Sequence, residues 1–310
     1  MKTCDIIIVN WNSGPQLHSC INSIVEFGLP LVNQIIVVDN GSTDGSEIDV
    51  ENLPKVTLIR AGYNRGFAAA CNQGADLASA DYLLFLNPDT RLFENSLSIP
   101  LDFMNDEDNT KAGICGIQLV DESGEVSHSC ARFPSLSIFL AQALGLNRLP
   151  KLRHLTQAMV EWSHDSTRNV EQVMGSFFLM RRSVFEILGG FDERFFVYFE
   201  EVDLSLRACQ AGWRSVYLAN AQAFHAGGGT SRQVKAHRLF YSLRSRLLYG
   251  FKRFSLIKAW FLLLVTLGLE PLTRIIFALV KGELQSVQHT LKGYYLLFMD
   301  LPAILRVALK

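Results

Sequence analysis

An α/β fold built on a mainly parallel, Rossmann-like sheet flanked by helices is predicted for this 310-residue chain by three observations. Short apolar runs of strand length alternate with segments of helical spacing through the first third of the sequence. Each run stops at a cluster of Asn, Asp or Gly, the residues that turn a chain at the end of a strand. A composition of 49% hydrophobic and 19% charged residues supplies core for one large domain with an appendage, or for two modest ones. That apolar content excludes a disordered chain, and 22 Gly and 9 Pro without a period exclude collagen-like architecture.

The elements follow in order. Asp5 to Val9 (DIIIV) is a continuous apolar run, as in a strand buried on both faces. Residues 15–27 then place Leu17, Cys20, Ile21, Ile24 and Val25 at helical spacing. Gln34 to Val38 and Val56 to Ile59 are further strands, the first ending at Asp39-Asn40-Gly41 and the second before Gly62-Tyr63-Asn64. A helix is expected from Phe67 to Leu77, and a fourth strand, Tyr82 to Leu86, stops at Asn87-Pro88-Asp89. Strands separated by helices imply right-handed crossovers and parallel pairing. A later strand is expected at Ser215 to Leu218.

In such sheets ligands bind beyond the carboxyl ends of the strands. Asn10, Asp39-Asn40, Asn64 and Asp89 fall at those ends. The turn after the first strand reads NWNSGP, not G-x-G-x-x-G, and a Walker-type phosphate loop is missing, which argues against a nicotinamide dehydrogenase or a P-loop NTPase. Asp39 can accept hydrogen bonds from a ribose or base, although a turn and helix cap also account for Asp39 to Gly45. Asp89 has the hard carboxylate that Mg2+ or Mn2+ prefers, although a turn explains NPDT as well. Glu200, Glu201 and Asp203 open a helical pattern after the aromatic stretch FDERFFVYF. The helix dipole and an i,i+4 pair with Arg207 explain Asp203 structurally, whereas apolar surroundings would suit a carboxyl for proton transfer. His225 precedes Gly227-Gly228-Gly229-Thr230-Ser231, a loop able to approach phosphate, and imidazole is a common metal ligand.

Six cysteines without a C-x-x-C pair are expected as buried thiols in a reducing compartment. MKTCDIIIVNWN lacks a long apolar core and a small-residue cleavage site, so no secretory leader is expected there. Net charge is −1 but uneven: Lys235–Lys310 holds twelve Lys/Arg against three acids, a net +9, leaving −10 on Met1–Val234. This divides the chain at residue 234 into an acidic domain, 1–234, and a basic, apolar helical extension, 235–310, suited to a membrane surface. Its cations alternate with Leu, Ile, Phe and Trp, so no nucleic-acid partner is expected. The run Ala259–Leu269, bounded by Lys258 and Glu270-Pro271, reaches about 16 Å as a helix against roughly 30 Å of bilayer hydrocarbon. Helices lying in the interface are therefore expected over helices crossing it, with packing on the chain's own domain as the alternative.

The segments IIIVNWN, VVDNGSTDGS, NRGFAAACNQG, LFLNPDT, GSFFLMRRSVFEILGGFDERFFVYFEEVDLSLR and HAGGGTS, in that order over about residues 5–232, resemble the family 2 inverting glycosyltransferases, particularly their bacterial rhamnosyltransferase-like members. The resemblance implies a GT-A fold, a nucleotide-diphosphate-sugar donor and a Mg2+ or Mn2+ cofactor. It also implies that Asp39 contacts the nucleoside and that Asn64, Gly66, Phe67 and Asn72 line the donor pocket. Asp89 then matches the metal-binding end of the D-x-D motif, and His225 the second protein ligand. Asn87 takes the first D-x-D position, leaving one carboxylate there. Relatives commonly carry Glu-Asp where this chain has Glu200-Glu201, so Glu201 is the expected catalytic base, Asp203 the second choice and Glu200 a further rival.

The resemblance thus implies transfer of rhamnose from a thymidine diphosphate donor to a cell-surface polysaccharide or lipid-pyrophosphate-linked acceptor. That places the chain in the cytoplasm, peripheral on the inner face of the plasma membrane. Hexosyl or galactofuranosyl transfer from a uridine diphosphate donor is an alternative, and a nucleotide-sugar-binding protein without activity is another.

Overall fold

The structure, a computed structural model, describes residues 3–152, 154–227 and 234–308. It divides into two compact units: Met1–Arg132, Trp162–Glu193 and Glu200–Thr230 form the first, and Phe133–Glu161, Arg194–Phe199 and Ser231–Lys310 the second.

The first unit is organised by a nine-stranded sheet. Its parallel part consists of β1 (Cys4–Asn10), β2 (Val32–Asp39), β3 (Val56–Arg60) and β4 (Tyr82–Leu86), in the order β3-β2-β1-β4. Helices α1 (Gln16–Phe27) and α2 (Phe67–Ala75) follow β1 and β3, as the alternation of periods predicts. Ile6, Ile7 and Ile8 are at most 1% exposed, so β1 is buried on both faces and each side chain contributes about 2 kcal/mol of apolar burial. The acid at the strand's start is also buried: Asp5 accepts from Ser79 N at 2.6 Å, Ala80 N at 2.8 Å and Asn33 Nδ2 at 2.9 Å, which satisfies the carboxylate.

Beyond β4 the sheet becomes mixed. β5 (Thr90–Leu92), α3 (Ser98–Asn105), β6 (Ala112–Val120) and β7 (Cys130–Ala131) come next in the chain. After α4 (Leu136–Ala143), which belongs to the second unit, follow β8 (Arg168–Val170), β9 (Gln172–Val173), β10 (Phe177–Arg181) and α5 (Arg182–Ile187). β10 runs antiparallel between β4 and β6. The last elements of the unit are α6 (Glu200–Gln210) and β11 (Arg214–His225). The strand expected at Ser215 to Leu218 is longer: it pairs in parallel with β6, shifts register between Leu218 and Gln222, and continues antiparallel to β5 as far as His225. Five of the six thiols are buried as expected, whereas Cys209 is exposed.

The second unit is helical, with α4 joined by α7 (Lys235–Arg253), α8 (Leu256–Leu264), α9 (Glu270–Val280) and α10 (Leu284–Ala308). Phe139, Phe199, Tyr249 and Phe254 pack ring against ring in it. A π-helical turn, Val265–Leu269, joins α8 and α9 into one helix, Leu256–Val280. Lys258 and Glu270-Pro271 therefore lie inside a helix and do not bound it, which corrects the expected eleven-residue limit. By length and composition this helix is long and apolar enough to cross a membrane. Pro271 is tolerated because it falls at the first turn of α9, next to the π turn, where the regular hydrogen-bond ladder is already interrupted. Glu270, 1% exposed, binds Arg246 of α7 and, at 2.8 Å, Arg274 one turn on; Arg246 also donates to Thr266 Oγ1 at 3.0 Å.

Candidate active site

The ends of β1 and β2 are register partners, Asn10 opposite Asp39. Asn10 Nδ2 lies 2.9 Å from Asp39 Oδ1, 3.0 Å from Ser42 Oγ and 2.8 Å from Ser46 Oγ, and Asn10 Oδ1 accepts from Ser13. Asp39 also accepts from Ser42 N at 3.2 Å. Asn10 therefore orients the Asp39 carboxylate at the sheet's edge. Next to it Asn40 ties in the following loop: its Oδ1 accepts from Arg65 N at 2.9 Å, and its Nδ2 donates to Asn64 Oδ1 at 3.0 Å and to Gly66 O at 3.3 Å. Asn64 Oδ1 accepts in addition from Gly66 N at 3.0 Å, which sets the start of α2 and places Phe67 at its head. The two loops meet at Gly41, where φ is +78° and a Cβ would stand 2.8 Å from Tyr63 Cα. A glycine is needed there for both reasons.

The Asn87–Asp89 turn leaves β4 and enters β5. Asn87 N and Thr90 Oγ1 both donate to Ser176 O, at 3.1 and 3.3 Å. On the ladder between β11 and β5, His225 is the partner of Thr90, and Ala226 N donates to Asp89 O at 3.1 Å. The imidazole Nε2 of His225 lies 3.3 Å from Asp89 Oδ1, with both side chains nearly buried. Nε2 is a buried atom with no hydrogen-bond partner. An imidazole nitrogen and a carboxylate oxygen converging this way suit a hard divalent cation. Among the described residues no three His, Cys, Asp or Glu gather into a complete metal site, so the remaining positions of such an ion would fall to other oxygens. Gly228 to Ser231 of the glycine loop lie outside the described residues.

Glu200 and Glu201 open α6, where unpaired amides favour acids. The Oε2 atom of each is buried without a hydrogen-bond partner. Burial pushes the Glu201 carboxyl above the usual carboxylate range, and burial together with the Glu201 charge pushes Glu200 well above it. Asp203, fully buried, instead accepts from Arg207 Nε at 2.8 Å. Arg207 goes on to Leu188 O at 2.6 Å and Gly190 O at 2.7 Å. Asn72 grips the same turn, donating to Phe191 O and accepting from Phe191 N, both at 2.9 Å.

The expected site residues thus sort themselves. Asn10 with Asp39, and Asn64 with Gly66 and Phe67, form one connected group through Asn40, whose N–H donates to Asn10 O at 2.8 Å. Asn87, Asp89 and His225 form another. Gly175-Ser176 runs between that group and Glu201: Ser176 O holds the Asn87 turn, and a Cβ on Gly175 would stand 3.7 Å from Glu201 Cγ. Asn72 and Asp203 are engaged with the Leu188–Phe191 turn. Sequence reasoning passed over Asn40 as a hub and Gly175-Ser176 as a bridge. The signals for the bridge are a small-residue pair ahead of the apolar run FFLM and its place at the start of a segment that carries the family resemblance.

Comparison with known proteins matches residues 5–189 to the model of Glycosyl transferase family 2. An N-acetylglucosaminyl-diphospho-decaprenol L-rhamnosyltransferase of Mycobacterium tuberculosis is 32% identical, over 75% of this chain and 79% of its own length. The rhamnosyltransferase WbbL of Escherichia coli is 30% identical, over 61% of this chain and 69% of its own. Among solved structures, the mannosyltransferase PcManGT of Pyrobaculum calidifontis, in complex with GDP-Man and Mn2+, superposes with a TM-score of 0.56 at 16% identity, covering 99% of this chain and 86% of that one. The mixed sheet with its flanking helices is the GT-A fold, and the chain belongs to glycosyl transferase family 2.

Proposed function

We propose that this chain is an inverting, divalent-metal-dependent glycosyltransferase of polysaccharide biosynthesis, moving rhamnose from a thymidine diphosphate donor to a lipid-pyrophosphate-linked or glycan acceptor. The observation that carries this reading is the convergence of Asp89 and an otherwise partnerless His225 nitrogen at the carboxyl edge of the sheet. The names of the similar proteins support the sugar and the lipid-borne acceptor.

In this reading Asp39 receives the nucleoside, oriented by Asn10, while the loop of Asn64, Gly66 and Phe67 closes over the donor and Asn87 holds the turn beneath it. Asp89 and His225 would hold Mg2+ or Mn2+; when bound, the ion supplies positive charge to the diphosphate. Glu201 removes the proton from the acceptor hydroxyl. The acceptor oxygen bonds to the anomeric carbon as the bond to the diphosphate breaks, and the electron pair leaves with the diphosphate. One displacement inverts the configuration. Burial has already brought the Glu201 carboxyl toward working pH, which suits a general base. Asp203 and Asn72 act on the site through the Leu188–Phe191 turn. The chain works on the cytoplasmic side, peripheral to the membrane that carries the acceptor.

The test is release of nucleoside diphosphate from thymidine diphosphate rhamnose against uridine diphosphate hexoses and galactofuranose, with Mn2+ and with EDTA. Faster release from a uridine donor replaces the sugar assigned here, turnover undiminished by EDTA removes the metal, and binding without release leaves a nucleotide-sugar-binding protein.

A further inference from the structure

The helix Leu256–Val280 presents two unlike faces. Ala259, Leu262, Thr266, Glu270 and Ala278 are buried within the helical unit. The opposite face carries Ile257, Phe261, Leu264, Leu272, Ile276 and Leu279, all exposed, with Ile257 at 84% and Leu264 at 68%. Their spacing, with exposed Gly268 between them, forms one apolar stripe along the full helix, about 37 Å long. An apolar stripe this long marks an interaction surface.

Length alone would let this helix cross a bilayer of about 30 Å. Its polar contacts argue otherwise. Glu270 lies close to the helix midpoint and is bonded to Arg246 of α7 and to Arg274, with Thr266 joining from one turn before. A crossing orientation would carry this cluster to the centre of the hydrocarbon, where charged groups are most costly. Lying flat keeps the cluster on the protein side and puts only the apolar stripe into lipid. Charge favours the same partner. Of the three acids in Lys235–Lys310, Glu270 is held by Arg246 and Arg274 and Asp300 by Arg244, which leaves Glu283 as the one exposed acid against exposed Lys258, Lys281, Lys292 and Arg306. The outward charge of this segment is cationic, complementary to anionic headgroups.

We infer that Leu256–Val280 is an in-plane membrane anchor: its exposed stripe sits among the acyl chains of an anionic leaflet, its cationic flanks contact the headgroups, and the Arg246–Glu270–Arg274 cluster prevents it from spanning. This deepens the proposed peripheral location and rests on that reading of the acceptor as membrane-borne.

The test uses the full chain and vesicles of phosphatidylcholine alone or mixed equally with phosphatidylglycerol, without sugar donor. The chain sediments with the mixed vesicles, and the triple variant Ile257→Glu, Leu272→Glu, Ile276→Glu, changed only at exposed positions, lowers the bound fraction at least ~10-fold. In a Cys209→Ser background, whose other cysteines are buried, spin labels on single cysteines at 257, 268 and 280 report one shared, shallow depth. A deep label at 268 with both ends at the headgroups means a spanning helix and overturns the inference. So does absence of vesicle binding, or a triple variant that only converts a vesicle-free dimer to a monomer. Nucleoside diphosphate release to a soluble acceptor separates the two readings: a parent chain that transfers sugar but never binds the mixed vesicles overturns the anchor alone, and a parent chain that binds them but does not transfer overturns the enzyme.

Discussion

His225 stands opposite Thr90 on the β11–β5 ladder, and that register brings its Nε2 to 3.3 Å from Asp89 Oδ1. The pairing is a consequence of sheet geometry, since the strand that carries His225 ends where the turn carrying Asp89 passes into β5. Asp89→Ala and His225→Ala are each expected to lower nucleoside diphosphate release at least ~100-fold. The ladder hydrogen bonds are main-chain, so both variants should unfold at nearly the parent temperature. His225→Ala should also raise the Mn2+ concentration needed for half activity. Parent-like turnover in both variants would remove the metal assignment.

Glu201 has a buried oxygen without a partner and a carboxyl pushed upward by burial. As the proposed base, Glu201 can accept the acceptor's proton only when ionised, so the rate is expected to fall as pH drops through this raised value. The acid limb of kcat should therefore lie above the ordinary carboxylate range near ~4.3. Glu201→Gln should abolish turnover with donor binding retained. Glu201→Asp, the acid common at this position in the resembling family, should keep measurable activity. A kcat profile flat down to the ordinary carboxylate range would assign the proton elsewhere.

Asp203 differs from its neighbours because its carboxylate is bound to Arg207, which holds Leu188 O and Gly190 O. Asp203→Asn leaves a largely buried guanidinium without its counter-charge and is expected to cost about 3 kcal/mol in urea unfolding. Its effect on donor KM should exceed its effect on the pH dependence of kcat, as befits a residue acting through a turn. A shifted acid limb with unchanged stability would instead make Asp203 the base.

Much of this was legible beforehand for physical reasons. Strands such as DIIIV and YLLFL are buried on both faces, so their apolar runs are continuous and their ends visible in Asn10, Asp39 and Asn87. Residues 112–181 were harder. β7, β8 and β9 have two or three residues each, too few for a period, and β10 pairs antiparallel, which no alternation of strand and helix foretells. The shared role of Asn72 and Arg207 at one turn depends on contacts distant in sequence. The helical limit at Glu270-Pro271 failed because a π turn and two arginines accommodate residues that read as a boundary.

Glu270 is subject to opposing effects: burial favours its neutral form, but Arg246 and Arg274 outweigh this and hold its carboxyl below the usual range. Its stabilising contribution is present above the unfolded value near ~4.3 and is lost as pH falls through the lower folded value. Glu270→Gln leaves Arg246 buried without its partner and should cost about 3–5 kcal/mol at neutral pH. Urea unfolding at pH 7 checks the magnitude, and a variant as stable as the parent would show the cluster adds nothing.

Glu200 should behave in the opposite sense. Burial first, and the Glu201 charge second, raise its folded pKa well above the value in the unfolded chain. The folded state therefore holds this proton more tightly, so the group's contribution to stability is complete below ~4.3 and disappears as pH rises through the folded value. At neutral pH the chain must either keep the proton or bury a charge beside a second carboxylate. Glu200→Gln substitutes a neutral amide for the protonated form and should raise the melting temperature at pH 8 while changing it little at pH 4. Thermal melts of parent and variant across that range measure the difference, which should widen steadily upward. A difference that is constant with pH would mean the Glu200 carboxyl titrates alike in folded and unfolded chains, and the buried acid pair would then have no electrostatic cost.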